Sequence, residues 1–161
     1  MRYLTLLLTL LSTPIIANAP APAPAPLEIS KILTHTCPHP SVSGQTISAH
    51  YRGTLQSTGA EFDSSYSRNT PFTFQLGAGR VIKGWDQGLV GMCPGDKRVL
   101  VVQPSMGYGD RAMAGKIPGG SVLVFEVELV SIQGVEDDGS RTVVERGNKG
   151  KVAGEAVRGE L

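Results

Sequence analysis

The residues most able to do chemistry in this chain sit in and around Val81-Ile82-Lys83-Gly84-Trp85-Asp86, which holds the only tryptophan. An indole in a short, glycine-flanked apolar segment can close the bottom of a pocket with a flat, rigid surface that excludes water. Six further aromatic residues, Tyr51, Phe62, Phe72, Phe74, Tyr108 and Phe125, are available as walls. The alternative is that Trp85 is ordinary core. Two polar groups stand beside these rings. Asp63 follows Phe62 and precedes Ser64-Ser65, where it either faces the pocket or caps a turn. Tyr108 lies between Gly107 and Gly109, and flanking glycines permit the backbone angles of a loop that presents a phenol into a cleft, the alternative being an exposed loop tyrosine. His50 falls out of phase with its inward neighbours and reads as a solvent-facing sheet histidine.

The elements that must hold these groups are mostly strands. Ile47, Ala49 and Tyr51 alternate with Thr46, Ser48 and His50, which predicts one face in and one face out. Phe72 to Leu76 repeats the alternation, and Lys97 to Gln103 is a β-branched run closed by Pro104. Val122 to Ile132 is the longest candidate, with Leu123, Phe125, Val127 and Leu129 inward and Glu126 and Glu128 outward. Helical spacing is confined to Val81–Met92, through Trp85, Leu89 and Met92, with turns expected at Gly77, Gly79, Gly91 and Gly95. The expected fold is α+β, an antiparallel sheet packed on one short helix.

At 161 residues the chain has room for one ordinary domain with extensions. Its net charge of +1 carries no electrostatic footprint for nucleic acid or an anionic membrane. Residues 1–19 read as a signal peptide: Met1-Arg2, then a broken apolar run, then Ala17-Asn18-Ala19 as a peptidase site. The run is too short and interrupted for a membrane span, so stable membrane insertion is not expected. Residues 20–26 alternate proline and alanine as a semi-stiff spacer, residues 27–133 form the domain, and residues 134–161 read as a charged, disordered tail. The expected location is the secretory pathway, either the endoplasmic reticulum lumen or outside the cell. The terminal Arg158-Gly159-Glu160-Leu161 leaves retention undecided. No heptad or large apolar face argues against a monomer.

Taken in register, His50-Tyr51-Arg52-Gly53, Phe62-Asp63-Ser64-Ser65, Pro71-Phe72-Thr73-Phe74, Val81-Ile82-Lys83-Gly84-Trp85-Asp86, Gly107-Tyr108-Gly109, Ile117-Pro118 and Leu123-Val124-Phe125-Glu126-Val127-Glu128-Leu129 closely resemble the FKBP-type peptidyl-prolyl cis/trans isomerases. The secretory-pathway single-domain branch is the nearest. The resemblance implies a twisted antiparallel sheet wrapped around one short helix. It implies a substrate-proline pocket formed by Tyr51, Phe62, Phe72, Val81, Ile82, Trp85, Tyr108, Ile117 and Phe125, with Asp63 at the rim. Trp85 would lie under the ring, and the Ile82 N–H would donate to a substrate carbonyl. Asp63, Tyr108, Trp85 and Phe125 would act in catalysis. Tacrolimus and rapamycin would occupy the same pocket, proline-containing secretory polypeptides would be the partners, and no cofactor or metal is called for. The alternative function is a proline-docking module or chaperone with little turnover.

Two cysteines, Cys37 and Cys93, in a secreted chain point to one structural disulfide. Two buried free thiols are the alternative. His35-Thr36-Cys37-Pro38-His39 has a zinc-like spacing but no evident fourth ligand, and a sulfur in a disulfide cannot bind as thiolate.

Overall fold

The longest alternations in the sequence become the two central strands. In this computed structural model, which describes residues 26–113, 115–136 and 142–143, β3 (Thr46–Leu55) and β7 (Leu123–Ile132) pair antiparallel along their length. Around them lie β1 (Leu27–Leu33), β4 (Glu61–Ser64), β5 (Phe72–Gln75) and β6 (Lys97–Val102), giving a six-stranded sheet in the order β1-β6-β7-β3-β4. β5 shares the β3 edge with β4: β4 pairs with Arg52–Thr54 and β5 with Thr46–Ala49. All of these pairings are antiparallel.

The alternation sorts the side chains as the sequence predicts. Ile47, Ala49, Leu123, Val127 and Leu129 are buried, while Glu126 is exposed. A bulge modifies the rule at one end. Ser48 pairs with Ser131 but Ala49 with Leu129, so the exposed Val130 is extra and both Leu129 and Ile132 face the core.

Against this inner face packs α1 (Lys83–Gly88), shorter than the expected Val81–Met92. At its start Ile82 is extended, with φ −61° and ψ 150°, which keeps Val81 and Ile82 out of the helix. Its end is taken over by the buried Arg98, whose guanidinium donates to the carbonyls of Gly88, Val90 and Gly91 at 2.7–2.8 Å. Those carbonyls would otherwise need another helical turn or water. The helix approaches β6 closely because two of its positions lack side chains. A Cβ at Gly84 would stand 2.7 Å from Val102 Cγ1, and one at Gly88 2.9 Å from Leu100 Cδ1. Gly84→Ala should therefore destabilise the fold. The helical preference for alanine gains about 0.5–1 kcal/mol, but forcing a methyl against a stiff buried valine costs about 1–3 kcal/mol. A lower urea midpoint with unchanged slope is the expected readout, and a raised midpoint would refute the close-packing account.

The expected disulfide is present between Cys37 and Cys93, closing a sequence separation of 56. The same junction carries a buried polar cluster. Asp96, 1% exposed, accepts from the backbone N–H of His35 and Cys93, and His35 Nδ1 lies 2.9 Å from its Oδ1. His35 is thus committed to Asp96 and Cys37 to sulfur, which removes two of the zinc-like ligands.

The expected signal peptide and nearly all of the Pro/Ala spacer lie outside the described residues, as does most of residues 134–161. Structure nonetheless continues past residue 133. Val135 packs on the core, and β8 (Thr142–Val143) pairs with β2 (His35–Thr36). Among the described residues, no helix is long and apolar enough to cross a membrane.

Candidate active site

Where β3, β4, β5, α1 and β7 meet, the inward-facing rings surround an open cavity of about 820 Å³. This is within the range of about 300–1,000 Å³ usual for ligand pockets. Four strands contribute side chains, and β4 gives two consecutive ones. Tyr51 points inward from β3, Phe62 and Asp63 come from β4, Phe72 from β5, and Phe125 from β7. The first turn of α1 supplies Trp85, 4% exposed.

Trp85 is held by rings standing nearly perpendicular to it. Tyr51 lies 5.0 Å away at 80°, Phe125 5.3 Å at 83°, and Phe72 6.3 Å at 67°. Edge-to-face contacts of this kind add about 0.5–1.5 kcal/mol each beyond area burial and fix ring orientation. Phe62 and Phe125 meet in the same way at 5.6 Å and 84°, made possible by Gly53 between them. A Cβ on Gly53 would reach within 2.6 Å of the Phe62 ring. Among the described residues, the indole Nε1–H is a buried side-chain donor without a hydrogen-bond partner. Native folds rarely tolerate such a group away from functional sites.

The polar rim is a three-membered network. The Tyr51 hydroxyl donates to Asp63 Oδ2, Arg68 Nη1 donates to Asp63 Oδ1 at 2.7 Å, and Arg68 Nη2 donates to the Tyr51 oxygen at 2.9 Å. Ser64 N–H also reaches Asp63 Oδ1 at 2.8 Å, so Asp63 both holds its turn and faces the cavity. Partial burial pushes the Asp63 carboxyl upward, but the hydrogen bonds from Tyr51 and Arg68 and the guanidinium charge outweigh it. The net pKa lies below the ordinary carboxylate value, and the group is charged throughout the neutral range. Burial, and then the charge of Asp63, push the Tyr108 phenol above its ordinary value, so it remains an O–H donor. Burial and the bond to Asp63 do the same for Tyr51.

One wall depends on a carboxylate from the helix. Asp86 accepts the N–H of Gly77 through Oδ1 at 2.8 Å and of Gly79 through Oδ2 at 2.9 Å. Both glycines have positive φ, 75° and 67°, which other residues adopt only with strain. Asp86 thereby ties the loop leading into Val81 and Ile82 to the helix that carries the floor. The Ile82 N–H donates to no protein group among the described residues.

Of the side chains singled out in the sequence, Tyr51, Phe62, Asp63, Phe72, Val81, Ile82, Trp85, Tyr108 and Phe125 line this one cavity. Ile117 does not; it is 7% exposed in the core cluster. Phe74 lies behind the wall, 5.3 Å from Phe72 and 5.6 Å from Trp85. His50 faces away, stacked on Tyr66 at 4.7 Å. Sequence reasoning missed Arg68 and Arg80 and gave no role of their own to Lys83 and Asp86 within the Val81–Asp86 segment; all four line the cavity. Arg68 had no local signal, whereas the acidic residue after Trp85, beyond a glycine-rich turn, was a readable one.

Comparison with known proteins gives a consistent result. The profile of the FKBP-type peptidyl-prolyl cis-trans isomerase family matches residues 37–130. The chain is 50% identical over 130 residues to FK506-binding protein 2 of Aspergillus oryzae, covering 81% of this chain and 96% of that one. It is 54% identical over 105 residues to the mouse peptidyl-prolyl cis-trans isomerase FKBP2, covering 65% and 74%. Among solved structures it is similar to the crystal structure of AtFKBP13, with a TM-score of 0.59 and 42% identity, covering 65% of this chain and 91% of that one.

Proposed function

The chain belongs to the FKBP-type peptidyl-prolyl cis-trans isomerase family, and from that premise we propose that the aromatic cavity takes up a substrate proline and speeds rotation about the bond before it. The observation that carries this reading is the Trp85 floor with Tyr51, Phe72 and Phe125 standing edge-on around it. A pyrrolidine ring laid on the indole would leave its preceding amide at the rim, between Asp63, Tyr108 and the free N–H of Ile82.

Rotation about an X–Pro bond costs about 18–20 kcal/mol because the twisted amide loses resonance. A catalyst must bind the twisted form better than either planar form. Two features of the cavity favour it. The twisted amide has a less polar carbonyl and loses less on leaving water, so dry aromatic walls discriminate in its favour. The Tyr108 hydroxyl, the Ile82 N–H and the fixed Asp63 charge are dipoles in place before the reaction, so they need no reorganisation. Each 1.4 kcal/mol of such preference is about tenfold in rate. No bond to carbon is made or broken, and the residues need only hold and orient.

The proposed setting is the secretory pathway, supported by the N-terminal signal pattern and by a disulfide of the kind that persists in oxidising compartments. The folding of proline-containing secretory polypeptides is the proposed role. Sensitivity to tacrolimus and rapamycin follows from a shared pocket and is supported by the name FK506-binding protein 2 carried by relatives.

Asp63→Ala should lower kcat/KM about tenfold while the circular dichroism spectrum is retained, because the carboxylate orients Tyr51 and sets the field at the rim. Unchanged turnover would remove Asp63 from the mechanism. The broader test is isomerisation of a Leu-Pro peptide with and without rapamycin. Turnover that rapamycin abolishes supports the assignment; rapamycin binding without turnover would reassign the cavity to proline docking.

A further inference from the structure

The charged groups at the cavity mouth fall into an engaged set and a free pair. Asp63 is occupied by Tyr51, Arg68 and Ser64, and both oxygens of Asp86 are occupied by glycine amides. Arg80 and Lys83 line the same wall and are exposed, and neither enters an ion pair or side-chain hydrogen bond among the described residues. Ile82, with its unused N–H, lies between them in the chain. Among the described residues no carboxylate forms an ion pair with either cation, and Glu61, for one, is held by Arg52. A polypeptide bound at the Ile82 amide therefore passes two cations that no protein carboxylate has claimed.

We infer that Arg80 and Lys83 are specificity-determining residues that favour polypeptides with an aspartate or glutamate within two residues of the isomerised proline. This rests on the cavity being the peptide site. Both cations are solvated, so the preference is modest and acts on binding. A glutamate should improve kcat/KM over lysine at the best position by about three- to tenfold, the size expected of two exposed ion pairs. It should fade in high salt, where screening shortens the reach of such charges from about 10 Å at 0.1 M to about 3 Å at 1 M.

The test uses peptides carrying Glu, Gln or Lys at each of the two positions on either side of a Phe-Pro or Leu-Pro bond. Isomerisation is measured at low and high salt for the natural protein and for Arg80→Gln/Lys83→Gln. In parallel, binding is titrated by the fluorescence of Trp85, the single tryptophan. A Glu-over-Lys ratio carried by KM, lost in high salt and lost in the double variant, is the expected result. Equal rates for the Glu and Lys peptides overturn the inference, and so does a ratio that survives the double substitution. Absence of turnover on every peptide would count against the isomerase reading, and the binding titration would still decide the charge preference.

Discussion

Trp85→Leu is expected to lower kcat/KM roughly 30- to 100-fold, equivalent to about 2–3 kcal/mol of transition-state stabilisation. Leucine keeps the floor apolar but removes the flat surface on which the proline would rest and the rings that Tyr51, Phe72 and Phe125 are set against. Stability should change far less than for an ordinary buried tryptophan. Such residues typically lose about 3–5 kcal/mol on truncation to alanine. Here the substitution also removes an indole N–H that is buried without a partner, a group whose burial costs about 1–3 kcal/mol. The space vacated opens onto the existing cavity and leaves no sealed void. A variant with near-normal urea unfolding and little turnover is the signature of a residue kept for activity at some expense to the fold. Turnover within threefold of the natural protein would show that the floor is not part of the isomerisation site. A large loss of stability would show instead that Trp85 is chiefly core.

The second large effect concerns folding. Cys93→Ser should lower the unfolding free energy by about 4 kcal/mol, the chain-entropy figure for a loop of this length. That is a large share of the roughly 5–15 kcal/mol that holds a typical domain together. The loss arises in the unfolded chain, which gains freedom once the link is absent. In the folded protein Asp96 still ties His35 to the Cys93 turn, so the junction keeps its geometry. Isomerase activity well below the melting temperature should accordingly be retained, because the disulfide lies beyond the end of α1 opposite the one that lines the cavity. Urea unfolding with and without reductant measures the effect on the natural protein, and the variant should match the reduced form. A midpoint unmoved by reductant would mean that the link constrains little in the unfolded chain.

Much of this molecule could be read from residue order, and the parts that could not have a common cause. The alternation in Thr46–Leu55 and Leu123–Ile132 located the central strands and sorted their faces, since burial of one side of a pleated strand is a local property. β1 escaped notice because it lies at the sheet edge with most of its side chains exposed, so its pattern is not that of a half-buried strand. The segment around Trp85 and the scattered aromatics suggested pocket material by their chemistry, with ordinary core as the alternative, and the family resemblance assigned them to one pocket; with two cysteines in the chain only one intramolecular pairing was available.

Partnership was decided by the tertiary structure. With 15 basic and 14 acidic residues in the chain, nothing local says that Arg68 serves Asp63, or that Asp86 serves two glycine amides. Nor does it say that Arg98 finishes the helix begun before Trp85. A charged side chain accepts whichever complement the backbone brings within about 3 Å, and that juxtaposition exists only after distant strands have paired. The amino-acid order settled which side chains turn inward; the fold settled which of them meet.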